Sequence, residues 1–163
     1  TGVQTCALPI YLRDRSVTRQ LLSLQQASYA VEVRLIGLTD IPPLKDTVKT
    51  LRQSGETFYG YFMTEELVGA LSYKRTGDVL DICRLMVHPA HFRQGIASEL
   101  LQRIETAEHS IRKVTVTTST KNEPAKSLYK RHGFVEIKQE IVASGVPMTF
   151  FEKTSGREKD SSL

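Results

Sequence analysis

The sequence has few cysteines and no long apolar segment, and these shortages exclude several classes of protein. Two of its 163 residues are cysteine, Cys6 and Cys83. Because Cys6 lies in an unusual N-terminal segment, Cys83 has no partner for a structural disulfide, which favours a reducing, cytoplasmic setting. No apolar stretch approaches the roughly 18 residues of a membrane-spanning helix, so we expect no membrane partner. The four histidines lack the spacing of metal ligands, so we expect no bound metal.

The first ten residues, TGVQTCALPI, differ in character from the rest of the chain. They contain no Met, no charge and no helix or strand periodicity, and their apolar run is too short for a signal peptide. The segment is similar to a translated sequencing adapter, although a short native tail is the alternative. We therefore expect residues 1–10 to be artefactual, with the true start of the domain missing. One domain is predicted over residues 11–153, followed by a disordered polar tail over residues 154–163.

The charge balance gives little support to a nucleic-acid partner. The net charge is +4, but the 22 Lys and Arg residues are scattered among 18 acidic residues without a basic stripe or interleaved aromatic residues. An anionic small ligand accounts for the surplus equally well. We expect no nucleic acid, and a small basic nucleic-acid-binding protein is kept as a less favoured alternative.

Periodicity predicts that helices and strands alternate along the chain. Helices are predicted over residues 16–37, 44–55, 94–110 and 122–134. Strands are predicted over residues 56–89, broken twice into a three-stranded meander, and over residues 113–120, 135–143 and 146–153. A long helix between two strands implies a parallel crossover. The predicted fold class is therefore α/β (α+β), with a mixed, mostly antiparallel sheet, a central parallel crossover and helices on both faces.

The segment LMVHPAHFRQGIASELL contains a candidate phosphate site. A buried strand passes through Pro89 into a loop that opens directly onto an amphipathic helix. The free backbone amides and the dipole of a helix N-terminus attract phosphate, and Gly95 and Ala97 allow close approach. An ordinary strand–turn–helix corner fits these residues equally well. The chain has no Walker A run and no complete G-x-G-x-x-G motif, which argues against nucleotide hydrolysis and Rossmann-type binding.

A second segment, TKNEPAKSLYKRHGF, follows the next strand, and together the two resemble the GNAT superfamily of acyl-CoA N-acyltransferases. The family's loop pattern is Arg/Gln-x-x-Gly-x-Gly/Ala, and its small positions are matched by Gly95 and Ala97. The first position departs from the pattern, because Phe92 stands there and Arg93 is displaced by one. The family's later signature is matched by Asn122, Ala125, Leu128, Tyr129, Gly133 and Phe134.

The resemblance implies an N-acetyltransferase with acetyl-CoA as cosubstrate. Transfer to a small-molecule or peptide amine would occur by direct attack in a ternary complex, with the Tyr129 phenol as the acid that protonates the departing thiolate. The alternative is a non-catalytic acyl-CoA-binding module of the same fold, and a homodimer is one open oligomeric state. The implied coenzyme-binding residues are Met86, Val87, Arg93, Gln94, Gly95, Ile96, Ala97, Ser98, Asn122 and Tyr129. Asn122 could also act only as a helix N-cap, and Tyr129 could be ordinary core.

The general base is less well indicated. Asp81 stands where several family members carry a catalytic Glu, but the favoured interpretation is a solvent-exposed strand-end carboxylate. His88 has a suitable intrinsic pKa of about 6.5, but it precedes Pro89 and could merely cap the corner. Cys83 is interpreted as inert core. Strand alternation predicts one face with Asp81, Cys83, Leu85 and Val87 and another with Ile82, Arg84, Met86 and His88.

Overall fold

A computed structural model describes residues 7–37 and 42–155 of the chain. Its centre is a seven-stranded sheet with the strand order β1-β2-β3-β4-β5-β7-β6. The strands are β1 (Ala7–Ile10), β2 (Thr57–Met63), β3 (Glu66–Thr76), β4 (Val79–Val87), β5 (Lys113–Ser119), β6 (Val135–Ile141) and β7 (Pro147–Thr154). The helices are α1 (Arg15–Ile36), α2 (Val48–Gln53), α3 (Ile96–Ala107) and α4 (Glu123–Arg131).

Neighbouring strands are antiparallel with one exception, the parallel pair β4 and β5. Helix α3 connects these two strands, and such a crossover is what allows them to run in the same direction. The predicted fold class is confirmed. In the described part of the chain, no helix combines the length and apolar character needed to span a membrane.

Local signals set the ends of the first two helices. The Asp14 side chain accepts hydrogen bonds from the backbone of Ser16 and Val17 and caps α1, and Gly37 ends it with φ of 74°. Helix α2 is shorter than predicted, because Thr47 and Thr50 form a reciprocal capping box that starts the helix at Val48. The preceding residues, Pro42–Lys45, form a 3₁₀ turn instead.

Strands lie close to both ends of the predicted domain, whose bounds stay a prediction. The segment for which no strand period was found contributes β1, which pairs antiparallel with residues 58–61 of β2. A strand of four residues is too short to show a period on its own, so only the pairing reveals it. At the other end β7 includes Thr154, the first residue of the predicted tail, while residues 156–163 lie outside the described residues, as do residues 1–6.

The helices pack on opposite faces of the sheet. Helices α3 and α4 bury Leu100, Ile104 and Tyr129 against one face, which we call the α3/α4 face. Helices α1 and α2 bury Leu21 and Leu51 against the other, the α1/α2 face. A Cβ atom on Gly69 of β3 would come within 2.6 Å of the Ile96 side chain. The glycine therefore allows the first turn of α3 to lie directly on the sheet.

A bulge in β4 overturns the predicted alternation of its side chains. Ser72 pairs with Arg84 and Tyr73 pairs with Ile82, so Cys83 is an extra residue without an opposite partner. Because one extra residue reverses the alternation beyond it, Leu85 and Val87 lie on the α3/α4 face with Ile82. Arg84 and Met86 lie on the α1/α2 face. Cys83 is exposed at the bulge, so its interpretation as core is wrong.

Candidate active site

The sheet opens between its two parallel strands. Pairing joins Val79–Ile82 of β4 to Lys113–Val116 of β5 and stops there, although β4 continues to Val87 and β5 to Ser119. Beyond the last pair the facing edges are not bonded to each other. The opening therefore exposes strand-edge N–H and C=O groups, which can pair with an extended ligand.

A cavity of about 80 Å³ lies at this opening. Its walls come from β4 and β5, from Tyr29 and Glu32 of α1, and from Asn122 and Tyr129 of α4. Helices that pack on opposite faces of the sheet thus bring polar side chains to one place through the gap. A larger groove of about 750 Å³ is lined by residues 9–13 and by Arg52, Tyr73 and Glu108 among others. It contains none of the predicted site residues, so the smaller cavity is the candidate site.

Tyr129 is almost fully buried, with 5% of its surface exposed. Its ring packs edge-to-face on Phe134, with centroids 5.6 Å apart, and lies tilted against Phe151 at 5.8 Å. Burial, and then the nearby carboxyl group of Glu32, raise the pKa of Tyr129 well above its ordinary value. The phenol is therefore fully protonated at neutral pH, as a proton donor must be. Both the catalytic and the core interpretation of this residue fit its position.

Asn122 begins α4 and also faces the cavity. Its Oδ1 accepts a hydrogen bond of 3.2 Å from the backbone N–H of Ala125, so the predicted N-cap is confirmed. Its side chain lies beside Glu32 in the cavity lining and lowers the pKa of that carboxyl group, against the effect of burial. Contact with a coenzyme arm stays a prediction for Asn122.

The loop before α3 presents its backbone at the carboxyl end of β4. Arg93 and Gly95 both adopt left-handed conformations, with φ of 62° and 78°. The first hydrogen bond of the helix runs from Glu99 N–H to Gly95 C=O at 3.0 Å, and no side chain caps this end. The backbone amides of the first turn, residues 96–98, therefore have no partner within the helix. A Cβ atom added to Gly95 would meet no atom within 4 Å, so the approach to these amides is open.

The other loop side chains differ in how firmly they are held. Arg93 and Gln94 are exposed, and the Phe92 side chain is 44% exposed. Ser98 Oγ lies 2.9 Å from His132 Nε2, which ties the first turn of α3 to the end of α4. Burial, and then the positive charge of Lys153, lower the pKa of His132. The imidazole is therefore neutral near pH 7 and can share a hydrogen bond with the serine hydroxyl.

The two residues proposed as general base lie outside the lining of the cavity. Asp81 is exposed, and its Oδ1 accepts a hydrogen bond of 2.6 Å from the Thr115 hydroxyl. His88 caps the turn after β4, since its Nδ1 accepts a hydrogen bond of 3.1 Å from the backbone of Ala90. The capping alternative for His88 is confirmed, and a catalytic role stays a prediction for both residues.

Sequence reasoning missed Glu32, which lines the cavity beside Tyr129. Burial raises the pKa of its carboxyl group, and the neighbouring Asn122 side chain partly opposes this effect. A signal was present in the sequence, because Glu32 follows Ser28 by four residues on the stripe that begins with Leu21 and Leu24. A carboxylate on the face that packs against a sheet is costly unless it has a partner or a function.

Sequence reasoning also missed a buried ionic cluster on the α1/α2 face. Arg84 donates hydrogen bonds to Glu56, Asp46 and Gln25. Burial opposes ionisation of both acids, but the hydrogen bonds from Arg84 and its neighbours outweigh it and keep each carboxyl pKa below its ordinary value. Because Arg84 belongs to β4, which lines the cavity, the cluster stabilises the position of this strand.

Comparison with known proteins gives consistent similarities. The family model for the acetyltransferase (GNAT) domain matches residues 38–155. The UPF0157 protein YqkA of Bacillus subtilis (strain 168) is 36% identical over 139 residues, which are 85% of this chain and 40% of the relative. The chain thus spans less than half the length of that relative.

Two solved structures share the fold. An acetyltransferase from Thermus thermophilus has a TM-score of 0.75 at 20% identity, covering 94% of this chain and 98% of its own. The PaiA N-acetyltransferase from Thermoplasma acidophilum, solved in complex with coenzyme A, has a TM-score of 0.74 at 18% identity, covering 94% and 100%. At these identities the similarity establishes the architecture.

Proposed function

The chain belongs to the acetyltransferase (GNAT) family, and from this premise we propose that it transfers an acetyl group from acetyl-CoA to an amine by direct attack in a ternary complex. The observation that carries the proposal is the opening between β4 and β5, which has Tyr129 in its lining. Two helix N-termini, those of α3 and α4, follow these strands at their carboxyl ends. In α/β sheets this edge is the usual position of a ligand.

The residues present fit the coenzyme in two respects. The unpaired edges beyond Ile82 and Val116 offer strand-like hydrogen bonding to the amide groups of a pantetheine arm. Of the two predicted partners, Val87 faces this opening, whereas the backbone of Met86 faces Ala70 of β3. The uncapped amides of residues 96–98 suit a pyrophosphate, with Arg93 and Gln94 beside them. Bound acetyl-CoA would supply the acetyl group as a thioester.

Three groups of this chain would then serve the transfer. The backbone N–H of Val87, which points away from β3 and into the opening because the flanking residue His88 bonds to Val68 of β3, would donate to the thioester oxygen as negative charge develops on it. Tyr129 would give its phenolic proton to the departing sulfur. Asn122, held by its capping bond to Ala125, would keep the start of α4 beside the opening.

Calorimetry with coenzyme A and a thiol-release assay with acetyl-CoA test the proposal. The acceptors are polyamines, amino acids, aminoglycosides and peptides with free N-termini. We expect coenzyme binding and thiol release that depends on one of these amines. Failure to bind coenzyme A would refute the proposal, and binding without turnover on any acceptor would favour the non-catalytic acyl-CoA-binding module.

A further inference from the structure

The carboxylate of Glu32 occupies a position where the helix face calls for an apolar side chain. Leu21, Gln25, Tyr29 and Ile36 are buried along the side of α1 that packs on the sheet. Glu32 lies three residues after Tyr29 and four before Ile36, so it belongs to the same stripe. At this point the gap between β4 and β5 places the cavity beneath the helix.

The other charged and titratable groups that line the cavity leave the Glu32 carboxylate available to pair with a cationic ligand. The cavity is also lined by Tyr29 of α1, Cys83 and Arg84 of β4, and Tyr129 of α4. Burial raises the pKa values of Tyr29 and Tyr129, and partial desolvation beside the cavity raises that of the otherwise exposed Cys83, so these three side chains are uncharged at neutral pH. The cation, Arg84, is held by two other carboxylates outside the cavity lining. A cation that enters the cavity would therefore meet Glu32 as its charge partner.

We propose that Glu32 is the acceptor-binding carboxylate and general base of the transfer, and that the acceptor class is an aliphatic amine that arrives as its ammonium ion. This proposal rests on the acetyltransferase function proposed above. An ammonium group cannot attack a thioester, because its nitrogen has no free electron pair. Glu32 would bind the ammonium ion and accept one proton, which leaves a neutral amine at the site of reaction.

The bonds and protons balance across the transfer. The amine nitrogen forms a bond to the acetyl carbon, and the bond from that carbon to sulfur breaks. Tyr129 protonates the sulfur, and the second proton lost by the nitrogen restores the phenol. The proton taken by Glu32 passes to solvent. The products are an acetamide and the free thiol, with one proton released for each ammonium ion consumed.

The position of Glu32 favours it over the other two candidate bases. Glu32 and Tyr129 line the same cavity, and the carboxyl group of Glu32 perturbs the pKa of Tyr129 directly. Asp81 is hydrogen-bonded to Thr115 outside the cavity lining, and the Nδ1 of His88 is occupied by the Ala90 amide. An elevated carboxyl pKa also suits a base that must take a proton and later release it.

A matched pair of acceptors isolates the role of the charge. Benzylamine is an ammonium ion at neutral pH, whereas aniline carries a similar ring and is uncharged. The variants are Glu32→Gln, Asp81→Asn and His88→Gln. The control is Glu65→Gln, which changes an exposed residue in a turn. Coenzyme A affinity by calorimetry and the circular dichroism spectrum should be the same for all of them.

Glu32→Gln should lower kcat/KM for benzylamine by about 10²- to 10⁴-fold and for aniline by only a few-fold. The acidic limb of its benzylamine pH profile should also differ from that of the native protein. Equal losses with both acceptors, or no loss, would overturn the proposal. A loss confined to benzylamine in Asp81→Asn or His88→Gln instead of Glu32→Gln would assign the base to that residue.

A binding measurement separates failure of this inference from failure of the acetyltransferase function. The ¹³C resonance of the Glu32 carboxyl group, assigned by its loss in Glu32→Gln, is titrated in the coenzyme A complex with and without benzylamine. We expect benzylamine to shift the resonance and to lower the carboxyl pKa, because a nearby cation favours the charged form. An unchanged titration would overturn the assignment of Glu32, whether or not any amine is acetylated.

Discussion

Replacing Arg84 with methionine should destabilise the fold, because its guanidinium neutralises two buried carboxylates. Nε and Nη2 each donate to an oxygen of Glu56 at 3.0 Å, and Nη1 donates to Asp46 and, at 2.8 Å, to Gln25. The side chains of Arg84, Asp46 and Glu56 are only 13%, 14% and 7% exposed. Methionine keeps an apolar chain against Phe58 but supplies no charge and no donor.

Removing one partner of a buried ion pair costs about 3–5 kcal/mol, chiefly because the other charge is left buried and unpaired. We expect the lower end, about 3 kcal/mol, because each acid keeps other donors. Ser72 still donates to Glu56, and Thr50 and Gln25 still donate to Asp46. For a domain of this size each kcal/mol corresponds to roughly 2–4 °C, so the melting temperature should fall by roughly 6–12 °C.

Urea unfolding at neutral pH measures the loss, with Arg112→Met as the matched control. Arg112 pairs with Asp78 at 2.9 Å, but their side chains are 69% and 49% exposed. An exposed pair of this kind contributes about 0–1 kcal/mol. If Arg84→Met were no more destabilising than Arg112→Met, the account of the buried cluster would be refuted.

A second test is the pH dependence of the difference in unfolding free energy between the native protein and Arg84→Met. The carboxyl pKa values of Asp46 and Glu56 lie below their ordinary values, since hydrogen bonds from Arg84 and its neighbours outweigh the opposing effect of burial. Their stabilising contribution is therefore present above the ordinary carboxyl pKa of about 4 and is lost as pH falls through the lowered values. The stability gap between the native protein and Arg84→Met should narrow on acidification. A gap that stays constant would contradict this assignment.

Four further substitutions test the coenzyme site and the chemistry. Gly95→Val should weaken coenzyme A binding in calorimetry much more than Arg93→Ala, because a branched side chain would strain the left-handed backbone and block the N-terminus of α3. Equal, small effects of the two substitutions would place the pyrophosphate elsewhere. Cys83→Ala should retain turnover, since partial desolvation, and then nearby acids, raise the thiol pKa of this exposed residue to about 11. Loss of turnover in a folded, coenzyme-binding variant would indicate a covalent step. Tyr129→Phe should slow acyl transfer by about 10²-fold in pre-steady-state measurements with coenzyme affinity unchanged; an unaltered rate would make Tyr129 core only.

Elements with strong local signals could be predicted from the sequence. Helix α3 was predicted from its amphipathic period, and α4 from Asn122 at its start and Gly133 beyond its end. The three-stranded meander was confirmed because its turns break the apolar runs clearly. The two motifs were sufficient to identify the family, because their residues recur at fixed spacing.

Features that depend on pairing between distant segments could not be predicted. The bulge at Cys83 becomes visible only when β4 is aligned with β3, and without it the alternation places Arg84 and Leu85 on the wrong faces. Glu32 lies 97 positions before Tyr129 in the chain, so no local pattern brings these two side chains together. Their meeting depends on the gap in the sheet, which a sequence read strand by strand does not show.

The limited pairing between β4 and β5 also has a mechanical consequence. The sheet consists of a four-stranded half, β1 to β4, and a three-stranded half, β5 to β7, and the seam between them spans only Val79–Ile82 and Lys113–Val116. Within each half, all pairs of adjacent strands are antiparallel. Local unfolding begins where backbone hydrogen bonds between strands are fewest. We therefore expect the two halves of the sheet to move relative to each other about this seam. Among the central strands, amide hydrogen exchange should therefore be fastest along the edges just beyond Ile82 and Val116. A molecule that bridges those edges would restrict the movement of one half of the sheet relative to the other.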